Sequence, residues 1–146
     1  MAQASLFNKY IAGIYRQSKN EFNQQVAELD IRATEGDILL FVNDHPNVSQ
    51  QRIAQEMVLD PSLVARDLRD LVARQLVTRQ RDPKDGRAHL IALTPTGQQQ
   101  AGEIRQVMAT WWERLFEATP EADAQTTGTQ LAAIYETLQQ RLKGID

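Results

Sequence analysis

Residues 79–97 have the sequence R-Q-R-D-P-K-D-G-R-A-H-L-I-A-L-T-P-T-G, in which a hairpin pattern is followed by the start of a helix. Two strand-like segments, Leu76–Arg81 and Ala88–Leu93, flank a turn. Pro83 presets φ there, and Gly86 can adopt the positive φ that hairpin loops often require. We therefore predict a β-hairpin whose tip is rich in cations and has no aromatic anchor. Its basic residues are Arg79, Arg81, Lys84 and Arg87.

Two short helical patterns lie just upstream of this hairpin. Residues 49–57 form the first, with Ser49 as its N-cap, and residues 61–74 form the second, with Asp60 as its N-cap and Pro61 at the first helical position. The order helix, turn, helix, hairpin is typical of a winged helix-turn-helix, in which the second helix is the recognition helix. We expect the core-facing residues of that helix to be Leu63 or Val64, with Leu68, Leu71 and Val72.

At this point the chain resembles the MarR family of bacterial transcription regulators, over about residues 31–97. The family's wing pattern is Asp-x-Arg, then an alternating strand that ends in Leu-Thr-x-x-Gly. Here the pattern is carried by Asp85, Arg87, Leu93, Thr94 and Gly97. The match is clearest in D-P-S-L-V-A-R-D-L-R-D-L-V-A-R-Q-L-V-T-R (60–79) and D-G-R-A-H-L-I-A-L-T-P-T-G (85–97).

One residue departs from the family's pattern, because Gln75 stands where the family usually has glycine between the recognition helix and the strand. A side chain at that turn imposes some strain or a different helix cap.

Thr94 and Pro95 resemble the N-cap and first residue of the helix that follows the wing. Thr34 and Asp37 resemble a capping box for a helix over about residues 35–43. Asn47 and Val48 then form a short link, which can supply a single strand residue that pairs with the wing.

Long amphipathic helices are predicted at both ends of the chain, over about residues 5–28, 95–118 and 122–143. A winged helix of about sixty residues cannot cover so much apolar surface. We expect one domain (1–146) that is mainly α with a small β-hairpin wing. In this scheme residues 31–94 form the winged helix-turn-helix, and residues 1–30 and 95–146 form a helical region that makes a homodimer. The alternative is a monomer with an extra helical layer.

The composition and motifs of the chain bear on its cellular location and exclude several classes of function. The longest apolar run, Ile38–Val42, is too short to span a membrane, and Met1–Tyr10 lacks the features of a signal peptide, so we expect a cytoplasmic protein. Because the chain has no cysteine, the thiol oxidation that triggers some members of the family is impossible here. His45 and His89 lie far apart, and no nucleophile motif, phosphate loop or metal-ligand spacing occurs. We therefore expect no enzyme, cofactor or metal.

The net charge of −3 is unevenly distributed along the chain. Residues 49–97 contain eight basic and six acidic residues, whereas the remainder contains eight basic and thirteen acidic ones. This contrast is modest, and a solvated surface of mixed charge also fits it. With the family resemblance, it favours duplex DNA as the partner of this segment.

Arg87 is our first candidate for a minor-groove contact. Arg66 is the candidate best able to form a bidentate contact with guanine. Asp85 is expected to hold a wing arginine by a charge-assisted pair, and Asp67 and Asp70 are expected to pair with neighbouring arginines. The full set of expected DNA contacts is Ser49, Gln50, Gln51, Ser62, Leu63, Ala65, Arg66, Arg69, Arg79, Lys84 and Arg87.

In the family, small aromatic or phenolic molecules often bind where the dimer helices meet the DNA-binding region. The resemblance therefore implies a possible effector pocket, for which the aromatic candidates are Tyr10, Tyr15, Phe22, Trp111 and Trp112. The alternative is that these side chains form the core and the dimer interface. For the chain as a whole, the rival to a DNA-binding regulator is a winged helix that binds proteins without sequence-specific DNA contact.

Overall fold

The computed structural model describes residues 2–144, which fall into two compact units, one ending at Met108 and one beginning at Ala109. The helices are α1 (Ala2–Ser5), α2 (Phe7–Gln25), α3 (Ala33–Asp44), α4 (Gln50–Met57), α5 (Pro61–Ala73), α6 (Pro95–Glu117) and α7 (Ala124–Lys143), with a 3-10 turn at Ala27–Leu29. The strands are β1 (Val48–Ser49), β2 (Val77–Arg81) and β3 (His89–Leu93). The predicted fold class, mainly α with a small β wing, is confirmed.

The three strands form an antiparallel sheet in the order β1-β3-β2. Val77 pairs with Leu93 and Arg81 with His89, so β2 and β3 form the predicted hairpin. Val48 pairs with Ile91, which confirms the expected contact between the short link and the wing. This pairing attaches the start of α4 to the hairpin and fixes the relative position of the two.

The core of the first unit brings α2, α3, α4, α5 and the sheet together. Val64, Leu68 and Leu71 are its contributions from α5, so Val64 is the core residue of the predicted Leu63–Val64 alternative. Val72 is 37% exposed and does not belong to the core, contrary to expectation. The other fully buried large apolar residues are Val26, Ile38, Leu39, Val42, Ile53, Ile91 and Ile104.

Side-chain caps begin the helices that carry the predicted site. The Ser49 hydroxyl accepts a hydrogen bond from the Arg52 N–H at 3.1 Å. The Asp60 carboxylate accepts from the N–H groups of Ser62 and Leu63 at 2.8 and 3.3 Å. These contacts confirm both predicted caps, and they satisfy N–H groups that have no partner within a helix. The Thr94 hydroxyl likewise accepts from the Gly97 N–H at 3.0 Å.

The predicted capping box at Thr34 and Asp37 is wrong. Helix α3 begins at Ala33, earlier than expected, and Arg32 is the extended residue before it. The box is therefore shifted, and the Glu35 carboxylate accepts from the Arg32 N–H at 3.3 Å. Asp37 instead forms an ion pair with Lys19 of α2. The Asp37 carboxylate, which the local pattern assigned to the cap, is thus paired with Lys19 on the neighbouring helix α2.

The backbone at Gln75 is left-handed, with φ of 58°. The Leu76 N–H donates to the Leu71 carbonyl at 2.9 Å, so helix α5 ends in the motif that ordinarily uses glycine at this place. Gln75 therefore takes up the left-handed turn itself, and the strain expected from its side chain stays a prediction. Val58, which ends α4, is also left-handed (φ 54°), an unfavourable conformation for a β-branched residue.

In the second unit, Asp123 caps α7 by accepting a hydrogen bond from the Thr126 N–H at 2.7 Å. The helix then runs to Lys143, in agreement with the predicted last helix. Its apolar residues are half or more exposed at Leu131, Ile134, Tyr135 and Leu138. Across residues 2–144, no helix has the length and apolar character needed to cross a membrane.

Candidate nucleic-acid interface

Helix α5 presents a polar face to solvent on the side away from the core. Ser62, Arg66 and Arg69 are exposed on this face, and Leu63 and Ala65 are half-buried beside them. The Asp60 cap fixes the first turn of the helix, and the packing of Val64, Leu68 and Leu71 fixes its rotation about its own axis. The five residues predicted on the recognition helix therefore share one accessible surface.

Arg66 is held by the residue that follows it. Its Nη2 and Nε atoms lie 3.2 and 3.3 Å from Oδ1 of Asp67. The Asp67 side chain is fully buried, and the same oxygen accepts from Nη2 of Arg32 at 2.8 Å. The hydrogen bond that Arg32 donates to Asp67 raises the pKa of the Arg32 guanidinium. The expected pairing of Asp67 is confirmed. Asp70 lies 3.4 Å from Arg32, which is not one of its sequence neighbours.

The tip of the wing is ordered by two aspartates. The Asp82 carboxylate accepts from the Lys84 N–H at 2.9 Å, and the Asp85 carboxylate accepts from the Arg87 N–H at 3.1 Å. These bonds fix the turn and leave the side chains of Lys84 and Arg87 exposed. The contact that we see for Asp85 is with backbone, and its predicted pairing with an arginine side chain stays a prediction.

A groove of about 410 Å³ lies between the wing and the starts of α4 and α5. Arg79 and Arg87 line its wing side, and Arg79 approaches Nδ1 of His89 at 3.5 Å. Its other residues are Ser49, Gln50, Gln51, Ala54, Gln55, Pro61, Ala88 and His89. The groove therefore unites the predicted contacts at the start of α4 with two of the wing arginines.

The aromatic effector candidates fall in different environments. Tyr10 and Tyr15 are exposed on α2, whereas Phe22 is buried and packs beside Gly36 in the core. Lys19 lies 5.4 Å from the ring centroids of both Tyr15 and Phe22. In the second unit, Trp111 and Trp112 meet edge to face with centroids 4.9 Å apart. The assignment of these residues to an effector pocket stays a prediction.

The sequence did not predict the roles of Arg32 and Glu35, nor the groove residues Pro61 and His89. Arg32 lies 3.0 Å from Glu35, whose carboxyl is buried. Burial raises the pKa of Glu35. A signal existed for Asp67, because this acid occupies a position on the apolar stripe between Val64 and Leu71. Its partner Arg32 could not be found in the same way, since the two are 35 residues apart.

Comparison with known proteins bears directly on this arrangement. A sequence model of the MarR family matches residues 29–88, which include the helix-turn-helix, β2 and the turn of the wing. The chain carries a MarR-family winged helix. Members of this family are transcriptional regulators and not enzymes, which confirms the expectation that this chain is no enzyme. No curated protein has significant similarity to the sequence.

Solved structures share the MarR fold over nearly the whole chain. A MarR transcriptional regulator from Methanosarcina mazei Go1 has a TM-score of 0.83 at 22% identity, covering 93% of this chain and 98% of its own. MepR from S. aureus, solved as a DNA complex, has a TM-score of 0.73 at 20% identity, covering 92% and 96%. Wild-type E. coli MarR in its apo form has a TM-score of 0.71 at 20% identity, covering 90% and 96%.

Proposed function

We propose that this MarR-family protein is a homodimeric transcriptional regulator that binds a pseudo-palindromic duplex DNA site in the cytoplasm. The observation that carries the proposal is the exposed polar face of α5 together with the groove, which runs from the wing to Pro61 at the start of α5. Arg66 and Arg69 are exposed on the face of α5, and Arg79 and Arg87 line the wing side of the groove. A similar protein, MepR, was solved bound to DNA.

Each part of this surface suits a different part of the duplex. The polar face of α5 has the size and composition of an element that enters the major groove, where Arg66 can donate to guanine. The exposed Arg87 at the tip of the wing suits the negative potential of a narrow minor groove. Ser49, Gln50 and Gln51, at the start of α4, suit contacts to phosphates. Arg69, Arg79 and Lys84 add positive charge, while Ser62, Leu63 and Ala65 offer small or apolar contacts to base edges.

Two exposed apolar stripes support the dimer. On α2, Phe7, Ile11 and Tyr15 are more than half exposed, and on α7 Ile134 is 66% exposed. A monomer rarely leaves so many apolar side chains in water, and a second copy of the chain would cover them in a symmetric interface. A two-fold axis would also present two recognition helices to two half-sites, as a palindromic operator requires.

We test DNA binding by fluorescence anisotropy with a cognate duplex selected from the protein's own regulatory region and with a scrambled duplex. Arg66→Ala should cost about 1–3 kcal/mol on the cognate site and loosen base preference. Arg87→Ala should weaken cognate binding as well. Arg114→Ala, which removes the same charge from an exposed position on α6, serves as the control and should bind as the wild type does.

Two results would contradict this proposal. Equal, strongly salt-dependent binding to cognate and scrambled duplexes would reduce the interaction to backbone attraction. Binding of a protein partner that survives Arg66→Ala and Arg87→Ala would favour the alternative function, a winged-helix module for protein interaction.

We further propose that a small aromatic or phenolic ligand modulates the regulator. It would act by binding unequally to two spacings of the DNA-binding units, because only a difference in affinity shifts an equilibrium. The candidate aromatic residues are Tyr10, Tyr15, Phe22, Trp111 and Trp112. A panel of phenolic acids should change tryptophan fluorescence and DNA affinity together. If both remain unchanged across the panel, this class of ligand is excluded.

A further inference from the structure

Asp67 is unusual on the recognition helix, because it is an ionisable residue whose side chain is fully buried. Only one of its two oxygens is used: Oδ1 accepts from both Arg32 and Arg66, and Oδ2 has no hydrogen-bond partner among the described residues. Burying a carboxylate is costly, and an apolar residue in such a place is often as stable or more so. Stability alone therefore does not account for an aspartate here.

Arg32 compensates the buried charge from another element. It precedes α3 and lies 2.8 Å from Asp67 and 3.4 Å from Asp70 on α5. It also lies 3.0 Å from the buried Glu35. With three carboxylates around it, the guanidinium of Arg32 ties the start of α3 to the middle of the recognition helix. Arg66 is thus not the sole counter-charge of Asp67, because Arg32 pairs with the same carboxylate.

The contact between Arg66 and Asp67 orients the Arg66 guanidinium and leaves some of its N–H donors free for another acceptor. A guanidinium has five N–H donors in a planar fork, and Asp67 engages the edge formed by Nε and Nη2. The side chain of Arg66 is still 55% exposed. Its Nη1 edge therefore remains available for an acceptor outside the protein. An arginine held in this way loses less conformational entropy when it binds than a free one does.

We propose that Asp67 and Arg32 are positioning residues that fix Arg66 in the orientation from which it selects a base. The inference rests on the proposed DNA-binding function and adds to it a cause of specificity that lies beneath the contact surface. Neither residue touches DNA. Arg69, which is exposed on the same helix and has no side-chain partner among residues 2–144, lacks such support. Its contact with DNA is accordingly the less selective of the two.

The readout that separates positioning from general stability is discrimination, the ratio of affinities for the cognate duplex and for duplexes changed at one base pair. Arg66→Ala should lower this ratio about tenfold at one position, within the range for loss of a bidentate contact. Asp67→Asn keeps the size of the side chain and should lower the ratio at the same position. In the double variant, Asp67→Asn should add nothing to Arg66→Ala at that position, because its effect passes through Arg66.

Arg69→Ala is the matched control, and it should weaken binding to all duplexes alike. Circular dichroism and thermal unfolding check that each variant is folded. If Asp67→Asn does not fold, Arg32→Gln is used in its place, because the Arg32 side chain is half-exposed. Loss of the Arg32 guanidinium should draw Arg66 toward the carboxylates that it no longer compensates. Discrimination should then fall again at the base pair that Arg66 selects.

The outcomes distinguish this inference from the function on which it rests. A wild-type protein that does not discriminate between duplexes would refute the proposed function itself. If the wild type discriminates and Arg66→Ala abolishes discrimination, but folded Asp67→Asn or Arg32→Gln retains the wild-type ratio, DNA binding stands and the positioning role is overturned. An additive loss in the double variant would overturn it in the same way.

Discussion

Gln75 joins the recognition helix to the wing in a conformation that an L-amino acid with a side chain adopts only at a cost. Its φ of 58° falls in the left-handed region, where glycine is favoured. The side chain is exposed, so no packing offsets the strain. The cost of this conformation to the free energy of unfolding can be measured with a single substitution at Gln75.

Gln75→Gly should raise the free energy of unfolding by about 1 kcal/mol, because it removes the steric penalty of the left-handed conformation. Urea denaturation measures the change. Gln75→Ala keeps a Cβ atom and is the control, for which we expect no such gain. A Gln75→Gly protein that is less stable than Gln75→Ala would show that the turn carries no strain.

Glu35 gives stability a pH dependence of a defined sign. Burial raises the pKa of its carboxyl above the ordinary value of 4.5. Because folding favours the protonated form, the contribution of Glu35 is fully present below the unfolded pKa and is lost as the pH rises through the folded pKa. The wild type should therefore lose stability relative to Glu35→Gln as the pH rises from below 4.5.

Unfolding of both proteins in urea across this pH range tests the sign. Their difference should be constant at the acidic end and should shift in favour of Glu35→Gln toward neutrality. A shift in favour of the wild type would mean that the ion pair with Arg32, at 3.0 Å, outweighs burial.

At the scale of the elements, α6 and the residue before β2 approach each other closely at Gly97. A Cβ atom at Gly97 would lie 2.0 Å from the carbonyl oxygen of Leu76. That oxygen belongs to the backbone and also accepts from the Thr94 N–H at 3.0 Å, so it cannot easily move. The glycine of the wing motif thus sets the distance between the helix and the sheet.

Gly97→Ala should lower the free energy of unfolding by about 1–3 kcal/mol, the usual cost of overpacking. Gly102→Ala, in the same helix, meets no atom within 4 Å and should raise it by about 0.5–1 kcal/mol. Chemical denaturation of the pair compares the two positions in one background. Equal effects of the two substitutions would contradict the close approach at Gly97.

Much of the winged helix could be predicted from sequence because its signals are local. The caps at Ser49 and Asp60, the proline at the start of α5 and the turn residues of the wing each act within a few positions of themselves. The cap of α3 was misplaced because a distant lysine, Lys19, pairs with Asp37. The support of Arg66 was missed in part for the same reason, since the Arg32–Asp67 pair joins residues distant in sequence.

At the scale of the whole molecule, the exposed apolar stripes of α2 and α7 are the basis on which we propose a homodimer. Analytical ultracentrifugation at micromolar concentration should give twice the 16.5 kDa mass of the chain. Ile134→Glu should shift the protein toward the monomer, because it places a charge where the proposed partner copy packs. Val58→Glu, at another exposed apolar position, is the control and should leave the mass unchanged. A wild-type protein with the mass of a single chain would refute the dimer.

The central claim, that a dimer of this chain recognises duplex DNA by sequence, is tested most directly by selection from a library of random duplexes. We expect enrichment of an inverted repeat whose half-sites are centred about 10 base pairs, one helical turn, apart, or a multiple of that spacing. Arg66→Ala should lose base preference at one symmetry-related position in each half-site. Recovery of duplexes without a shared motif, by a protein that is folded and dimeric, would contradict the account.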